Sequence, residues 1–215
     1  MTSLSILKKK KQEKIILTLD KLGFATRSQL QELHDLKSNR NANWFLSGMK
    51  EYLNSFRIKE YSTIYYANKK GLELIGSTKE PLVKNLQVEH YLMRTDIYIY
   101  YNAPEDFAIE KRIPYHTYNE LGQGIVQKKE NIVVPDAHFT VNGLHHFLEV
   151  DNLQNMKKNE QKIQNYKDVV RAVKETYTQT PTIIFYTSSE NRKKKLDEWC
   201  DRAGLHYQVL TRNDI

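Results

Sequence analysis

The chain has 215 residues, with 33 Lys or Arg against 26 Asp or Glu, which gives a formal net charge of +7 and a pI near 9.2. Its mean hydropathy is −0.67, and no stretch approaches the roughly 18 uncharged apolar residues that a membrane span needs. The single cysteine, Cys200, excludes a disulfide framework and a Cys-rich zinc site. The first residues lack the order of a secretory signal, so we expect a cytoplasmic protein without a membrane partner.

The excess positive charge lies in the first third of the chain. Residues 1–80 contain 15 Lys or Arg and 8 Asp or Glu, whereas residues 81–215 contain 18 of each. A small basic unit is typical of a protein that binds duplex DNA. A basic surface that serves only solubility is the alternative.

Two helices are predicted at the start of the chain. Apolar residues at helical spacing predict the first helix from Lys9 to Leu22, and Gly23 ends it. Thr26, with Gln29 three residues later, forms a capping-box pattern at the start of the second helix.

A third helix is predicted to begin at Ser38 or Asn39 and to run to Leu53, with Trp44 or Phe45 buried. Its exposed face would carry side chains that pair with base edges or phosphates. These predicted DNA-binding residues are Arg40, Asn41, Asn43, Ser47 and Lys50.

Two short β-like runs follow, at residues 56–59 and 64–67, and a short helix at residues 68–75 closes the unit. Three helices followed by a hairpin predict a winged helix-turn-helix, in which the third helix enters the major groove and the hairpin contacts the backbone. A protein–protein module is the alternative for the same arrangement. Turn-forming residues at 76–81 predict the boundary between a winged-helix DNA-binding domain, 1–78, and a second domain, 79–215.

The second domain is predicted to have the order α-β-β-β-α-β-α-β, an α/β (α+β) arrangement of a mixed sheet with helices on both faces. Residues 114–130 are polar and are predicted to form a loop. The predicted helices are 82–101, 156–174 and 192–203, and the predicted strands are 107–113, 131–141, 144–151, 182–187 and 207–210.

Asn142-Gly143 predicts a two-residue type I′ turn between two of these strands. Such a turn fixes the strand register, so that Asp136 is predicted to face Glu149 in a non-hydrogen-bonded pair, where side chains are closest. Asp151 lies two residues beyond Glu149 on the same strand face.

Three carboxylates on one hairpin face repel each other, which is destabilising unless something offsets the repulsion. A divalent cation on Asp136 and Glu149 is one group that would offset this repulsion. Mg²⁺ takes oxygen ligands and uses one or two carboxylates plus water and phosphate. A solvated acidic face, or a carboxylate protonated because of its neighbour, is the alternative.

Lys162 lies in an otherwise apolar row of the following helix and is predicted to point toward the sheet. An ammonium group there would orient an attacking water or stabilise a pentavalent phosphorane. The alternative is an aliphatic stem that covers apolar surface while its head stays in water. Lys158 and Gln161 are neighbouring candidates for the same role.

Pro135-Asp136, followed after 12 residues by Glu149-Val150-Asp151 on a β-hairpin, resembles the PD-(D/E)XK nuclease superfamily, as does the αβββαβ order. With the N-terminal winged helix, Val88-Glu89-His90 and Lys162-x-x-x-Tyr166, the chain resembles the replication-relaxation family. Where the nuclease pattern has a Lys two residues after the Glu, this sequence has Asp151.

The resemblance implies a DNA-binding protein of a bacterial plasmid or other mobile element that acts in replication, nicking or mobilisation. It implies a phosphodiesterase site with Mg²⁺ or Mn²⁺ on Asp136 and Glu149, with Asp151 as a further ligand or base and Lys162 as a migrated substitute for the missing lysine. Double-stranded DNA is the expected partner, and a second copy of the chain and replication or conjugation proteins are further candidates. The alternative is a non-catalytic winged-helix regulator or replication initiator, whose degenerate second domain serves dimerisation or partner binding.

Overall fold

A computed structural model describes residues 3–120, 126–152 and 155–215. The chain folds into two compact units, one ending at Ala103 and one beginning at Pro104. Both contain helices and strands, so the chain is a mixed α/β protein as expected. Within the described ranges, no helix has the length and apolar character that a membrane span requires.

The first unit contains five helices and three strands among its described residues. They are α1 (Ser3–Leu22), β1 (Ala25–Thr26), α2 (Arg27–Leu33), α3 (Asn39–Ser47), β2 (Leu53–Phe56), β3 (Ile64–Ala67), α4 (Lys69–Leu74) and α5 (Val88–Tyr100). The three strands form an antiparallel sheet in the order β1-β3-β2. Its core is built from apolar residues of α1, α2, α3 and the strands, including Ile15, Leu30, Leu46 and Leu53.

Local signals fix the ends of these helices. Gly23 adopts a φ of +88° after α1, and its N–H donates to Leu19 O at 2.8 Å. Thr26 and Gln29 form the predicted capping box at the start of α2, and the Ser38 side chain caps α3 by accepting from the N–H of Asn41. The predictions for the starts of α2 and α3 are therefore confirmed.

The end of α3 differs from the prediction. The helix stops at Ser47 with Gly48 as its cap, and hydrogen-bonded turns lead from there to Leu53. Lys50 therefore lies in the turn after the helix. Of the two aromatic alternatives for the buried face, Phe45 packs against the core, whereas Trp44 is 64% exposed.

Helix α5 belongs to the first unit, whereas the expected boundary at 78/79 would put it in the second domain. Gln29 Nε2 donates to Leu92 O at 2.9 Å, and the rings of Phe24 and Tyr91 lie 5.3 Å apart. Val88 and Leu92 belong to the same buried cluster as Phe24. Val88 and Leu92, on the helix expected to open the second domain, thus complete a core of the first unit, and the turn at residues 76–81 lies inside that unit.

The second unit contains two helices and seven strands among its described residues. They are β4 (Ala108–Ile109), β5 (Ile113–Glu120), β6 (Val126–Val133), β7 (Ala137–Val141), β8 (Leu144–Asp151), α6 (Met156–Tyr177), β9 (Thr182–Thr187), α7 (Glu190–Ala203) and β10 (Tyr207–Leu210). A five-stranded mixed sheet has the order β10-β9-β8-β7-β4, in which β8, β9 and β10 are parallel and β7 and β4 are antiparallel to their neighbours.

One expectation for the second unit is wrong. Most of the predicted loop at 114–130 belongs to β5 and β6, which form a long antiparallel pair from Ile113↔Val133 to Glu120↔Val126; residues 121–125 of that prediction lie outside the described residues. Helices α6 and α7 pack on the same face of the sheet, around Phe147 and Phe185.

The predicted register of the hairpin between β7 and β8 is confirmed. Asn142 and Gly143 have φ values of +50° and +79°, the left-handed conformation that a type I′ turn requires. The strand pairs run from Val141↔Leu144 to Ala137↔Leu148. A local sequence signal, Asn142-Gly143, therefore sets the register of the hairpin that carries the candidate site.

Candidate active site

Asp136 lies immediately before β7, at the end of the hairpin ladder. Its backbone N–H donates to Leu148 O at 2.9 Å, and its carboxylate Oδ2 accepts the N–H of Val150 at 2.7 Å. The ladder ends at Ala137↔Leu148, so the predicted Asp136–Glu149 ladder pair is not formed. The carboxylate of Asp136 is instead held beside the strand that carries Glu149.

Glu149 is the buried centre of the site, with 4% of its surface exposed. Its Oε2 accepts a hydrogen bond from Lys162 Nζ, and its Oε1 accepts one from Tyr166 Oη at 2.6 Å. Lys162 and Tyr166 are four residues apart on α6, a spacing that puts both side chains on the helix face toward the sheet.

These contacts bear on the alternatives for the carboxylates and for Lys162. Helix α6 covers the carboxylate face, so it is not a solvated acidic face. Lys162 points toward the sheet as predicted, and its head group binds Glu149 rather than lying only in water. Lys158 is exposed, and Gln161 donates to Asn165 at the surface.

The electrostatics of this cluster keep Lys162 and Tyr166 protonated. Burial alone would lower the pKa of Lys162, but the carboxylates of Glu149 and Asp136 outweigh it and raise the pKa. Burial, and then Glu149, raise the pKa of Tyr166 well above its usual range. Both groups are therefore hydrogen-bond donors at neutral pH and not general bases.

Burial raises the pKa of Glu149, and the charge of Asp136 adds to this effect, whereas Lys162 and Tyr166 oppose it. The two carboxylates thus destabilise each other's charge, as the sequence predicted. Because an ammonium group and a phenol bind Glu149 directly, much of this repulsion is offset by the protein's own side chains.

Asp151 makes a separate set of contacts. It is 1% exposed, and both of its carboxylate oxygens are bound by Arg192, at 2.6 Å from Nε and 2.5 Å from Nη2. Asn159 and Thr187 donate to the same carboxylate at 2.7 and 2.8 Å. The contacts of Asp151 are those of a buried bidentate ion pair, which joins β8 to α6, β9 and α7.

Sequence reasoning missed Arg192, Asn159 and Thr187. Each comes from a different element that meets β8 only in the folded unit, so no spacing within the sequence connects them to Asp151. The one available signal was a carboxylate at the end of a strand with a buried pattern, since buried charges are paired or bound to metals.

Asp136 and Glu149 supply carboxylate oxygens, the ligand type that Mg²⁺ takes. Among the residues that the structure describes, no group of three or more His, Cys, Asp or Glu could hold a metal ion. Mg²⁺ needs only one or two carboxylates, with water and substrate phosphates as its other ligands. Each Glu149 oxygen has a second lone pair beyond the one that accepts a hydrogen bond. His138, on the same strand face, is hydrogen-bonded to His145 at 3.0 Å between Nε2 and Nδ1.

The five predicted DNA-binding residues are all exposed in the first unit. Two of these side chains are engaged with the backbone, because Asn41 Nδ2 donates to Leu36 O at 2.8 Å and Ser47 Oγ donates to Trp44 O at 2.9 Å. Arg40 and Asn43 share the solvent face of α3 with Trp44, one of the two aromatic residues predicted as candidates for the core.

Comparison with known proteins identifies a family that this chain matches. The family model described as Replication-relaxation matches residues 17–183. There is no significant match among curated proteins. The crystal structure of protein VC1899 from Vibrio cholerae is similar over 97% of this chain and 53% of that chain, with 13% sequence identity and a TM-score of 0.33. This chain therefore spans about half the length of that protein.

Proposed function

The chain belongs to the replication-relaxation family. From this premise we propose that it binds the DNA of a bacterial plasmid or mobile element. We propose that it cleaves phosphodiester bonds during the replication, nicking or mobilisation of that element. The observation that carries the proposal is the contact of Lys162 Nζ with Glu149 beside Asp136. Two acidic groups and one lysine are the residue types of a PD-(D/E)XK site. Here the lysine comes from α6 and not from the strand.

This arrangement gives Asp151 and Lys162 different roles from those of a standard motif. The position two residues after Glu149, where the motif has its lysine, holds an aspartate that pairs with Arg192. Lys162 brings an ammonium group to the same glutamate from the neighbouring helix. We therefore propose that Lys162 replaces the missing lysine, and that Asp151 positions the strand and helices around the site.

The proposed reaction adds water across a phosphodiester. The water oxygen bonds to phosphorus, the bond from phosphorus to one sugar oxygen breaks, and that oxygen leaves with a proton. Asp136 and Glu149 would hold Mg²⁺ or Mn²⁺, which when bound polarises the phosphate and lowers the pKa of a bound water. The protonated Lys162 would stabilise the negative charge that develops on the phosphoryl oxygens, and Tyr166 holds the carboxylate of Glu149 in place.

The first unit supports the DNA-binding part of the proposal. Its helices and its three-stranded sheet follow the element order of a winged helix, in which α3 would enter the major groove. Between β2 and β3, the exposed residues Arg57 and Lys59 lie where the hairpin of such a domain contacts the backbone. The excess of positive charge in residues 1–80 favours a phosphate partner over a neutral protein surface.

The experiment is incubation of supercoiled plasmid with the full chain and Mg²⁺ or Mn²⁺. Conversion to open circles that EDTA prevents is the expected result. A protein that binds duplex DNA but nicks no plasmid, bubble or single strand under these conditions would contradict the catalytic proposal. That outcome would support the alternative, a non-catalytic regulator or replication initiator with a degenerate second domain.

Arg40→Ala and Lys50→Ala are each expected to weaken duplex binding several-fold, on the order of 1 kcal/mol, because each removes one cation from the proposed interface. Fluorescence anisotropy with a labelled duplex at several salt concentrations measures this effect. The salt dependence should also become less steep. Lys195→Ala, a matched change at an exposed position of α7, should change neither quantity. Unchanged affinity in both Arg40→Ala and Lys50→Ala would show that α3 and the turn after it are not the DNA-binding surface.

A further inference from the structure

Trp44 stands at the centre of the solvent face of α3. Ala42 and Leu46 point to the core from the opposite side of the helix, and both are buried. Arg40 and Ser47, one turn before and after Trp44, share its face and are also exposed. The chain has two tryptophans; Trp199 is partly buried in the second unit, whereas Trp44 is 64% exposed. A large apolar side chain is thus presented to solvent by a well-packed helix.

The surroundings of Trp44 are basic. Lys8 Nζ lies 5.4 Å from the centroid of the indole ring, at a distance typical of a cation–π contact. Lys8 belongs to the run of four lysines at positions 8–11, and Arg40 lies on the same helix face. An apolar protein surface that covered Trp44 would have to desolvate these cations without pairing them, which is costly. A polyanion pairs with these cations, so the positive charge around Trp44 favours nucleic acid as the partner that covers the ring.

An indole ring recognises DNA differently from the other side chains on this face. Its single N–H cannot form the bidentate contacts by which Arg and Asn read base-pair edges. Its flat face stacks well on a base, and such stacking tolerates any sequence. In an intact duplex the faces of the bases are covered by their neighbours. The ring therefore fits a base that has lost its pairing and stacking partners.

We propose that Trp44 is a stacking platform for an unpaired base, and that the first unit prefers duplex DNA with an adjoining melted segment over a fully paired duplex. This inference rests on the proposed DNA-binding function. It specifies the substrate class, namely DNA in which a strand has been opened.

The test compares two labelled DNAs, a duplex and the same duplex with a central unpaired bubble, by anisotropy with the full chain in EDTA, so that no cleavage occurs. The wild type is expected to bind the bubble more tightly than the duplex. Trp44→Ala should weaken bubble binding by about 5- to 150-fold, the range that follows from loss of one stacked base, and should weaken duplex binding by a clearly smaller factor. Trp44→Phe, which keeps an aromatic face, should retain most of the bubble affinity.

Leu74→Ala is the matched control, because Leu74 is a 46% exposed apolar residue elsewhere in the same unit, and it should change neither affinity. In a Trp199→Phe background, stronger quenching of the remaining Trp44 fluorescence by the bubble than by the duplex is also expected. Equal losses on duplex and bubble, or no loss on either, would overturn the inference while leaving DNA binding intact. Failure of the wild type to bind any DNA would overturn the proposed function as well.

Discussion

Glu149→Gln is expected to lower the rate of plasmid nicking by a factor on the order of 10²–10³, the cost of losing one essential electrostatic group in an active site. The amide keeps the size of the side chain, and its oxygen can still accept from Tyr166. It removes the charge that would hold a divalent cation and that pairs with Lys162. Asp136→Asn is expected to have a similar effect. The measurement is the initial rate of open-circle formation at saturating Mg²⁺ or Mn²⁺.

Glu160→Gln is the matched control for this loss of one negative charge. Glu160 is exposed, and it lies on α6 two residues before Lys162. Its replacement should leave the rate within about twofold of wild type, since exposed charges interact weakly through water. Thermal unfolding of each variant tests whether the fold is retained. Nicking that survives Glu149→Gln in a folded protein would show that the reaction occurs elsewhere or belongs to a contaminant.

Asp151→Ala is expected to lower the free energy of unfolding of the second unit by about 3–5 kcal/mol, the usual cost of removing one partner from a buried ion pair. The change leaves the guanidinium of Arg192, whose side chain is 20% exposed, without its carboxylate. It also removes the acceptor for Asn159 and Thr187. Urea unfolding in a Trp44→Phe background measures the effect, because Trp199 then reports on the second unit alone.

Lys193→Ala is the control for Asp151→Ala. Lys193 follows Arg192 on α7 and pairs with Asp214 near the surface, with side chains 25% and 31% exposed. Loss of this pair should cost no more than about 1 kcal/mol. Similar costs for the two changes would contradict the view that Asp151 is bound chiefly as a structural ion pair.

The contribution of Asp151 should also depend on pH. Burial alone would raise its pKa, but hydrogen bonds from Arg192, Asn159 and Thr187 outweigh burial and lower the pKa below the usual 3.8. Stability from a carboxylate with a lowered pKa is full above the unfolded pKa and is lost as the pH falls through the folded pKa. The difference between wild type and Asp151→Ala should therefore be constant near neutral pH and shrink below about pH 4.

Local sequence signals predicted the hairpin well. Asn142-Gly143 fixed the turn, and the turn fixed the pairing from Val141 to Ala137, because a two-residue turn leaves no choice of register. The row of apolar residues on α6 likewise predicted that Lys162 faces the sheet. These predictions hold because every residue that decides them lies within one hairpin or one helix.

Features that depend on long-range packing could not be predicted in this way. A helix over residues 82–101 was predicted, but not that Val88 and Leu92 on it pack with Phe24 or that its backbone accepts from Gln29 of α2. The polar residues of β5 and β6 predicted a loop, because cross-strand pairing and not an alternating apolar pattern holds most of these strands together. Arg192 reaches Asp151 from 41 residues away, and nothing in the intervening sequence signals the pair.

The most direct test of the proposed site is a crystal structure of the full chain grown with Mn²⁺, with anomalous diffraction collected at the manganese edge. The proposal predicts an anomalous peak bound by the carboxylates of Asp136 and Glu149, and its loss in crystals of Asp136→Asn. No peak at these carboxylates at saturating Mn²⁺, with Lys162 still bound to Glu149, would contradict a metal-dependent active site.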